Sequence, residues 1–231
     1  MKIYSAIVKK QHELNMKTTG ENYLEKKQRW NSAIIDEVSE LIKSLAYEWW
    51  KKTVIDMDNA KVEAIDLLHF IISDTLQINY NNQKNIERNF IDETIIEFEK
   101  CFTSDSYASE FANKDLLDLM DLITYNQIPR FAILREVFKQ LDMSNEIVYI
   151  SYFTKNCLNK FRQDNGYKTG GYIKIWNAQE DNVIAFNIAN KIGATEDLFE
   201  KLYEELDIYY KTEVKRENKI WSFFKKLFLI K

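Results

Sequence analysis

Proline and glycine are scarce: one proline, Pro129, and five glycines in 231 residues. A sandwich or barrel of short strands needs turn signals roughly every ten residues, so this scarcity argues against one and leaves long helices. Cysteine is scarce too. Cys101 and Cys157 have no metal-ligand spacing, and two thiols fit a reducing cytoplasm. No run approaches the roughly 20 apolar residues that span a bilayer. Met1 to Asn15 has no signal-peptide apolar core. Excess positive charge is also missing. The net charge is −4, which gives bulk electrostatics no reason to attract nucleic acid. No internal repeat or low-complexity segment is present.

What remains is apolar and charged residues in helical register. Hydrophobic residues make up 45% and charged residues 29%, a soluble globular balance, and the length suits one domain with a sizeable core or two small ones. The spacing predicts a helix over 3–15 with Ile3, Ile7 and Leu14 inward, then a loop over 16–28 containing Gly20. A long helix is expected from about Trp30 to Lys52. The next, N-capped by Asp56 or Asp58, runs to about Tyr80. Further helices fit 86–102, 109–126, 130–141, 144–163, 178–191 and 196–229. The 144–163 helix turns Ile147, Ile150, Phe153, Cys157, Leu158 and Phe161 to its apolar side. Three of the five glycines fall in 166–171 and mark a loop.

Two acidic steps break the apolar stripes. Glu37-x-x-Glu40 lies on the stripe set by Ile34, Leu41 and Leu45, and Glu63-x-x-Asp66 opens an otherwise apolar run. A spacing of i, i+3 puts both carboxylates of a step on one helix face. Burying them unpaired costs several kcal/mol or more, and together they repel. A divalent cation with oxygen ligands removes both problems. The same ladder at Asp115, Asp118 and Asp121 has no second acidic step facing it across a helix–turn–helix and reads as surface. With helix ends near Lys51 and Asp58, Glu40 and Glu63 are offset by about 9 Å along antiparallel axes at 1.5 Å per residue. An earlier helix end or the loop and crossing angle must absorb that.

From Lys155 to Lys174 five cations, Lys155, Lys160, Arg162, Lys168 and Lys174, face one anion, Asp164. Gly166, Gly170 and Gly171 allow close backbone approach, and together these suit phosphates. The segment is not a Walker A loop. Cations beside a carboxylate–metal site are what phosphoryl chemistry requires.

The run Trp30-x-x-Ala33-Ile34-x-x-Glu37-x-x-Glu40-Leu41-x-x-Ser44, Trp49-Trp50-Lys51 and Asn59-x-x-x-Glu63-x-x-Asp66-x-x-His69-Phe70 resembles the dimeric, all-α dUTPase family. Lys155-Asn156-x-x-Asn159-x-Phe161-Arg162-Gln163-x-Asn165-Gly166-Tyr167-Lys168, with Tyr172, Lys174, Trp176 and Glu180-Asp181-Asn182, is similar to its phosphate-side motifs. Gln11 to Asn15 sits where that family has a base-recognition motif. The resemblance implies one dUTPase-like domain over 1–231 with a four-helix metal-binding core. It places core helices in about 1–80 plus later ones, and a mobile phosphate-contacting segment at about 151–182.

The resemblance also implies a homodimer; the charge, the two thiols and the lack of a signal or spanning run point to a cytoplasmic protein that binds neither nucleic acid nor membrane. It would hydrolyse dUTP, and dUDP, to dUMP with Mg²⁺, a metal-activated water attacking the α-phosphorus and pyrophosphate leaving from dUTP. Glu37, Glu40, Glu63 and Asp66 would be metal ligands, with Glu40 or Glu37 accepting the proton. Lys155, Asn159, Arg162, Tyr167, Lys168, Lys174 and Asn182 would hold phosphates and sugar. Gln11, Asn15, Trp49, His69 and Phe70 would shape the base and deoxyribose pocket. Lys43 stands where the family has an acidic residue, and Tyr47-Glu48 where it has Trp-Lys, so the pocket edge differs locally.

Other readings are an all-α nucleoside-triphosphate pyrophosphatase preferring dCTP or non-standard nucleotides, and a non-catalytic metal- or nucleotide-binding module. The aromatic, basic tail Ile220 to Ile230 reads as a docked C-terminal helix, or alternatively as an interfacial membrane helix.

Overall fold

A computed structural model describes residues 2–82, 89–104, 110–125 and 129–214. Helices dominate. Among the described residues they are α1 (Lys2–Thr19), α2 (Trp30–Ser44), α3 (Met57–Asn82), α4 (Phe90–Thr103), α5 (Leu116–Ile123), α6 (Arg130–Gln140), α7 (Asn145–Asp164), α8 (Asp181–Ile192) and α9 (Leu198–Tyr209). The protein is all-α, with one two-residue hairpin, β1 (Ile175–Trp176) and β2 (Gln179–Glu180). The tail, Ile220 to Ile230, and the last part of the helix expected over 196–229 lie outside the described residues. Among the described residues no helix is long and apolar enough to cross a membrane.

The chain divides into two compact units, Met1–Tyr152 and Phe153–Lys231, with the division inside α7. In the first, α3 is central and packs against α1, α2, α4 and α6. Its sequence explains this: Ala64, Ile65, Leu67, Leu68, Ile71, Ile72 and Leu76 are buried and occupy nearly every side of the helix. Asp56 caps α3 by accepting from Asn59 N–H at 3.0 Å. Asn89 caps α4 and Asp115 caps α5 in the same way. Asp115, Asp118 and Asp121 are exposed, as their pattern implied.

Helix α1 runs into the loop expected over 16–28, the helix expected over 109–126 is broken before α5, and β2 takes the start of the helix expected over 178–191. Three finer details differ too. Helix α2 ends at Ser44, where Ala46 takes a positive φ of 55° and Asp56 N–H bonds Ser44 C=O at 2.8 Å, closing a loop over 45–56. Ile3 is 46% exposed, because the buried stripe of α1 runs through Ile7, Val8, Gln11, Leu14 and Asn15. Ile147 is 39% exposed, because the first turn of α7 packs through Val148 instead. Both cysteines are buried, and burial pushes the Cys101 thiol up to about 11, so it is not a reactive thiolate.

In the second unit Phe161, Tyr172, Trp176 and Tyr210 form an aromatic core. Trp176 is fully buried, donates its indole N–H to Ile173 C=O at 2.7 Å and stacks on Tyr209. The hairpin that positions it turns through Asn177 and Ala178, both at positive φ, which matches the right-handed twist of the strands.

One buried cation ties four parts of the first unit. Arg130 donates to Ile123 C=O at 2.8 Å, to Asp74 Oδ2 at 2.6 Å and to Asn31 Oδ1. Burial raises the Asp74 pKa and lowers that of Arg130, so desolvation outweighs attraction at both partners. R130M is therefore expected to destabilise this unit by about 3–5 kcal/mol, since Asp74 stays buried without its guanidinium. The double variant R130M/D74L should recover part of that loss. Urea unfolding followed by tryptophan fluorescence decides; equal losses in single and double variants would refute the account.

Candidate functional site

The end of α2 at Ser44 sets the acidic site. Glu37 stands seven residues before Ser44, and Glu63 six after Met57, so the two nearly align, within ~1.5 Å along antiparallel axes. One carboxylate oxygen from each of Glu37, Glu63 and Asp66 lies within 4.8 Å of the others. Glu63 is 7% exposed; Glu37 and Asp66 are half-buried. Glu40 is exposed, one helical turn on, and stands outside this trio. Asn59 Nδ2 donates to Glu63 Oε1 at 3.0 Å and to Ser44 Oγ at 2.7 Å, fixing one carboxylate from the helix that bears it. Three converging carboxylates offer hard oxygen donors, the chemistry that fits Mg²⁺.

A second cluster joins α1, α3 and α7. Gln11 Oε1 accepts from Tyr152 OH at 3.0 Å and faces His69 Nδ1 at 2.5 Å. Gln11 Nε2 donates to Asn15 Oδ1 at 2.9 Å and Ser73 Oγ at 3.1 Å. The hydrogen bonds of this amide are thus fully engaged within the protein. Its acceptor oxygen requires the proton on His69 Nδ1. Asn15 Nδ2 donates to Ser73 Oγ at 3.0 Å, and Ser73 OH bonds back to His69 C=O at 2.7 Å. Tyr152 stacks on His69 at 4.4 Å. Ser73 and Tyr152 were absent from the sequence-based set. Ser73 carried one signal, a hydroxyl four residues after His69 on a buried helix. Phe70 is half-buried beside Trp30, with ring centroids 6.3 Å apart. Trp49 is 88% exposed, edge-on to Trp50, and takes part in neither cluster.

The second unit carries the basic residues. Lys155, Asn159 and Arg162 share one face of α7 by their i, i+4, i+7 spacing. Tyr167 and Lys168 are exposed in the turn that Gly166 and Gly170 open at positive φ. Lys174 is exposed and pairs with Glu180 at 3.4 Å. Asn182 is half-buried and accepts from Val183 N–H. Arg162 binds Asp181 through two 2.8 Å bonds, and Asn159 Oδ1 accepts from its Nη1 at 3.3 Å. The positive excess counted over 155–174 is smaller in space, because Glu180 and Asp181, just past that window, fold back onto it. Asp181 was named within the motif but given no role.

A family model described as dUTPase matches residues 3–167. The chain belongs to the dUTPase family. The match covers the acidic trio, the amide cluster and the basic face of α7, and it ends before Lys174 and Asn182. This dUTPase is therefore an enzyme of the dUTP diphosphatase type, a nucleotide hydrolase with dUTP as its small-molecule substrate. No curated protein matches the chain.

Between Gln11 and Asn15 on α1 of the dUTPase sits His12, whose Nδ1 meets Tyr23 OH at 2.8 Å. Burial lowers the His12 pKa, Glu13 opposing, and burial pushes the Tyr23 hydroxyl up to about 12. Tyr23 therefore donates and neutral His12 accepts. The unfolded chain then takes up its proton first as pH falls. The stabilisation is complete above about pH 6.5 and is lost as pH drops toward the lower folded value. H12N keeps an acceptor near the Nδ1 position without a titrating ring. Its urea midpoint should fall less between about pH 7.5 and 5.5 than the wild type's; parallel losses would refute the assignment.

Proposed function

We propose that this dUTPase hydrolyses both dUTP and dUDP to dUMP in a Mg²⁺-dependent reaction, as a homodimer built on a four-helix metal-binding core. The observation that carries the reading is the convergence of Glu37, Glu63 and Asp66 within 4.8 Å. These three carboxylates would hold the ion, with Glu40 completing the set. Bound Mg²⁺ would supply a water of lowered pKa and screen phosphate charge. Glu40 or Glu37 takes the proton on a carboxylate oxygen as water attacks the α-phosphorus. Asn59 keeps Glu63 oriented through its 3.0 Å bond.

Gln11 and Asn15 read uracil, His69 and Phe70 border the deoxyribose, and Trp49 closes the pocket edge. Cytosine presents an amine where uracil presents O4, so the wrong base leaves a buried polar group unpaired. Because the bonds of Gln11 are fully engaged, uracil exchanges for a protein partner there. Lys155, Asn159, Arg162, Tyr167, Lys168, Lys174 and Asn182 hold phosphates and sugar and stabilise the leaving pyrophosphate. The chain is proposed to act in the cytoplasm as one dUTPase-like domain.

Turnover of dUTP, dUDP, dCTP, dTTP and UTP, with Mg²⁺ and with chelator, tests this. Selective conversion of the two deoxyuridine nucleotides to dUMP is expected, lost in chelator. E63Q should lower kcat/KM for dUTP at least about 100-fold, the loss of several kcal/mol of charge stabilisation. Turnover persisting in chelator, or in E63Q, would overturn the metal assignment; preference for dCTP would overturn the base pocket alone. In a separate measurement, N59A should weaken the Mg²⁺ affinity read from thermal-shift titration by about 10–100-fold.

A further inference from the structure

The phosphate-side guanidinium of Arg162 is already committed to a partner. Asp181 is completely buried, at the N-terminus of α8. Its Oδ2 accepts from Arg162 Nε at 2.8 Å and from Tyr172 OH at 2.7 Å. Its Oδ1 accepts from Arg162 Nη2 at 2.8 Å and from the Asn182 N–H at 2.9 Å. One carboxylate thus gathers α7, the loop before the hairpin and α8. Burial works against the charge of Arg162, but the bonds and charge of Asp181 outweigh it and raise its pKa. The Arg130 pair behaves in the opposite way.

A guanidinium has five N–H donors in a fixed plane. Asp181 takes two as a bidentate fork, and Asn159 takes one from Nη1. Two remain, one on each terminal nitrogen, and the side chain is 15% exposed. Planar N–H pairs of this kind suit phosphate oxygens. The carboxylate also cancels the net charge of Arg162, which leaves geometry as its contribution.

We propose that Asp181 is a positioning residue for nucleotide phosphates: it stays bonded to Arg162 throughout binding and turns the two remaining N–H groups toward a phosphate or pyrophosphate group. This rests on the phosphate-side reading of Arg162 above. Asp181 itself touches no substrate and acts through the guanidinium.

The test uses the full chain, with inorganic pyrophosphate and deoxyuridine as probes. D181N keeps the shape but sets an amide N–H₂ against an N–H donor. It should raise the pyrophosphate inhibition constant about tenfold, the loss of one charge-assisted bond's orientation, and leave deoxyuridine binding unchanged. R162A should do the same, and R162A/D181N should match R162A, because Asp181 acts only through Arg162. Additive effects, or an unchanged pyrophosphate constant in D181N alone, overturn the proposal. An unchanged constant in R162A overturns the phosphate-side reading, a distinguishable result. Should D181N fail to fold, NMR of the wild type decides. Pyrophosphate should shift the Arg162 Nη resonances while Nε–H stays protected from exchange. Loss of that protection on binding overturns the proposal.

Discussion

Like charges on neighbouring helices constrain everything around them. If ionised, carboxylate oxygens within 4.8 Å of one another repel by at least about 3 kcal/mol per pair at an effective dielectric near 20. The arrangement holds because its supports are strong. Helix α3 is buried on nearly every side, so Glu63 and Asp66 cannot turn outward without dragging the apolar run of α3 into water. Helix α2 is held against it by Ile34, Val38 and Leu41, and the loop between them is closed by a backbone bond from Asp56 to Ser44. Asn59 then spans both elements, through Glu63 and Ser44. Repulsion of this kind is what a bound divalent cation relieves, and the same repulsion would make the first unit sensitive to its removal.

The two buried arginine–carboxylate pairs show opposite uses of one chemistry. Arg130 reaches backbone carbonyls, an amide and Asp74, and its attachment fixes where α5 and α6 meet α2 and α3. Arg162 gives two donors to Asp181 and one to Asn159 and retains two. In both, desolvation is the first cost. It wins at the Arg130 pair and loses at Arg162, where the fork is bidentate and the carboxylate accepts two further bonds.

Much of this was legible in the chain. The scarcity of breakers pointed to helices, and the acidic steps were visible because they interrupt apolar stripes. The end of α2 was hidden, since Leu45 to Trp50 continues a helical mixture with no proline or glycine, and only the backbone of Ala46 marks the stop. Ser73 and Tyr152 were hidden for another reason. Ser73 lies 62 positions from Gln11 and Tyr152 lies 141, and no local pattern connects residues that meet only in the folded unit. Asp181 stood in the motif without a role because a charge count along a window ends where the window does, whereas the ion pair closes over 19 positions.

The engaged amide of Gln11 carries a consequence for how recognition divides its labour. An amide whose two donor and two acceptor contacts lie within the protein gains no hydrogen bonds when a ligand arrives; it trades them. A trade of equals adds little adhesion, while a mismatched trade leaves a deficit. On the proposed reading, the base end of the site works as a customs gate and not as an anchor: grip comes from the charged end of the nucleotide, and the amide network decides which passengers are refused.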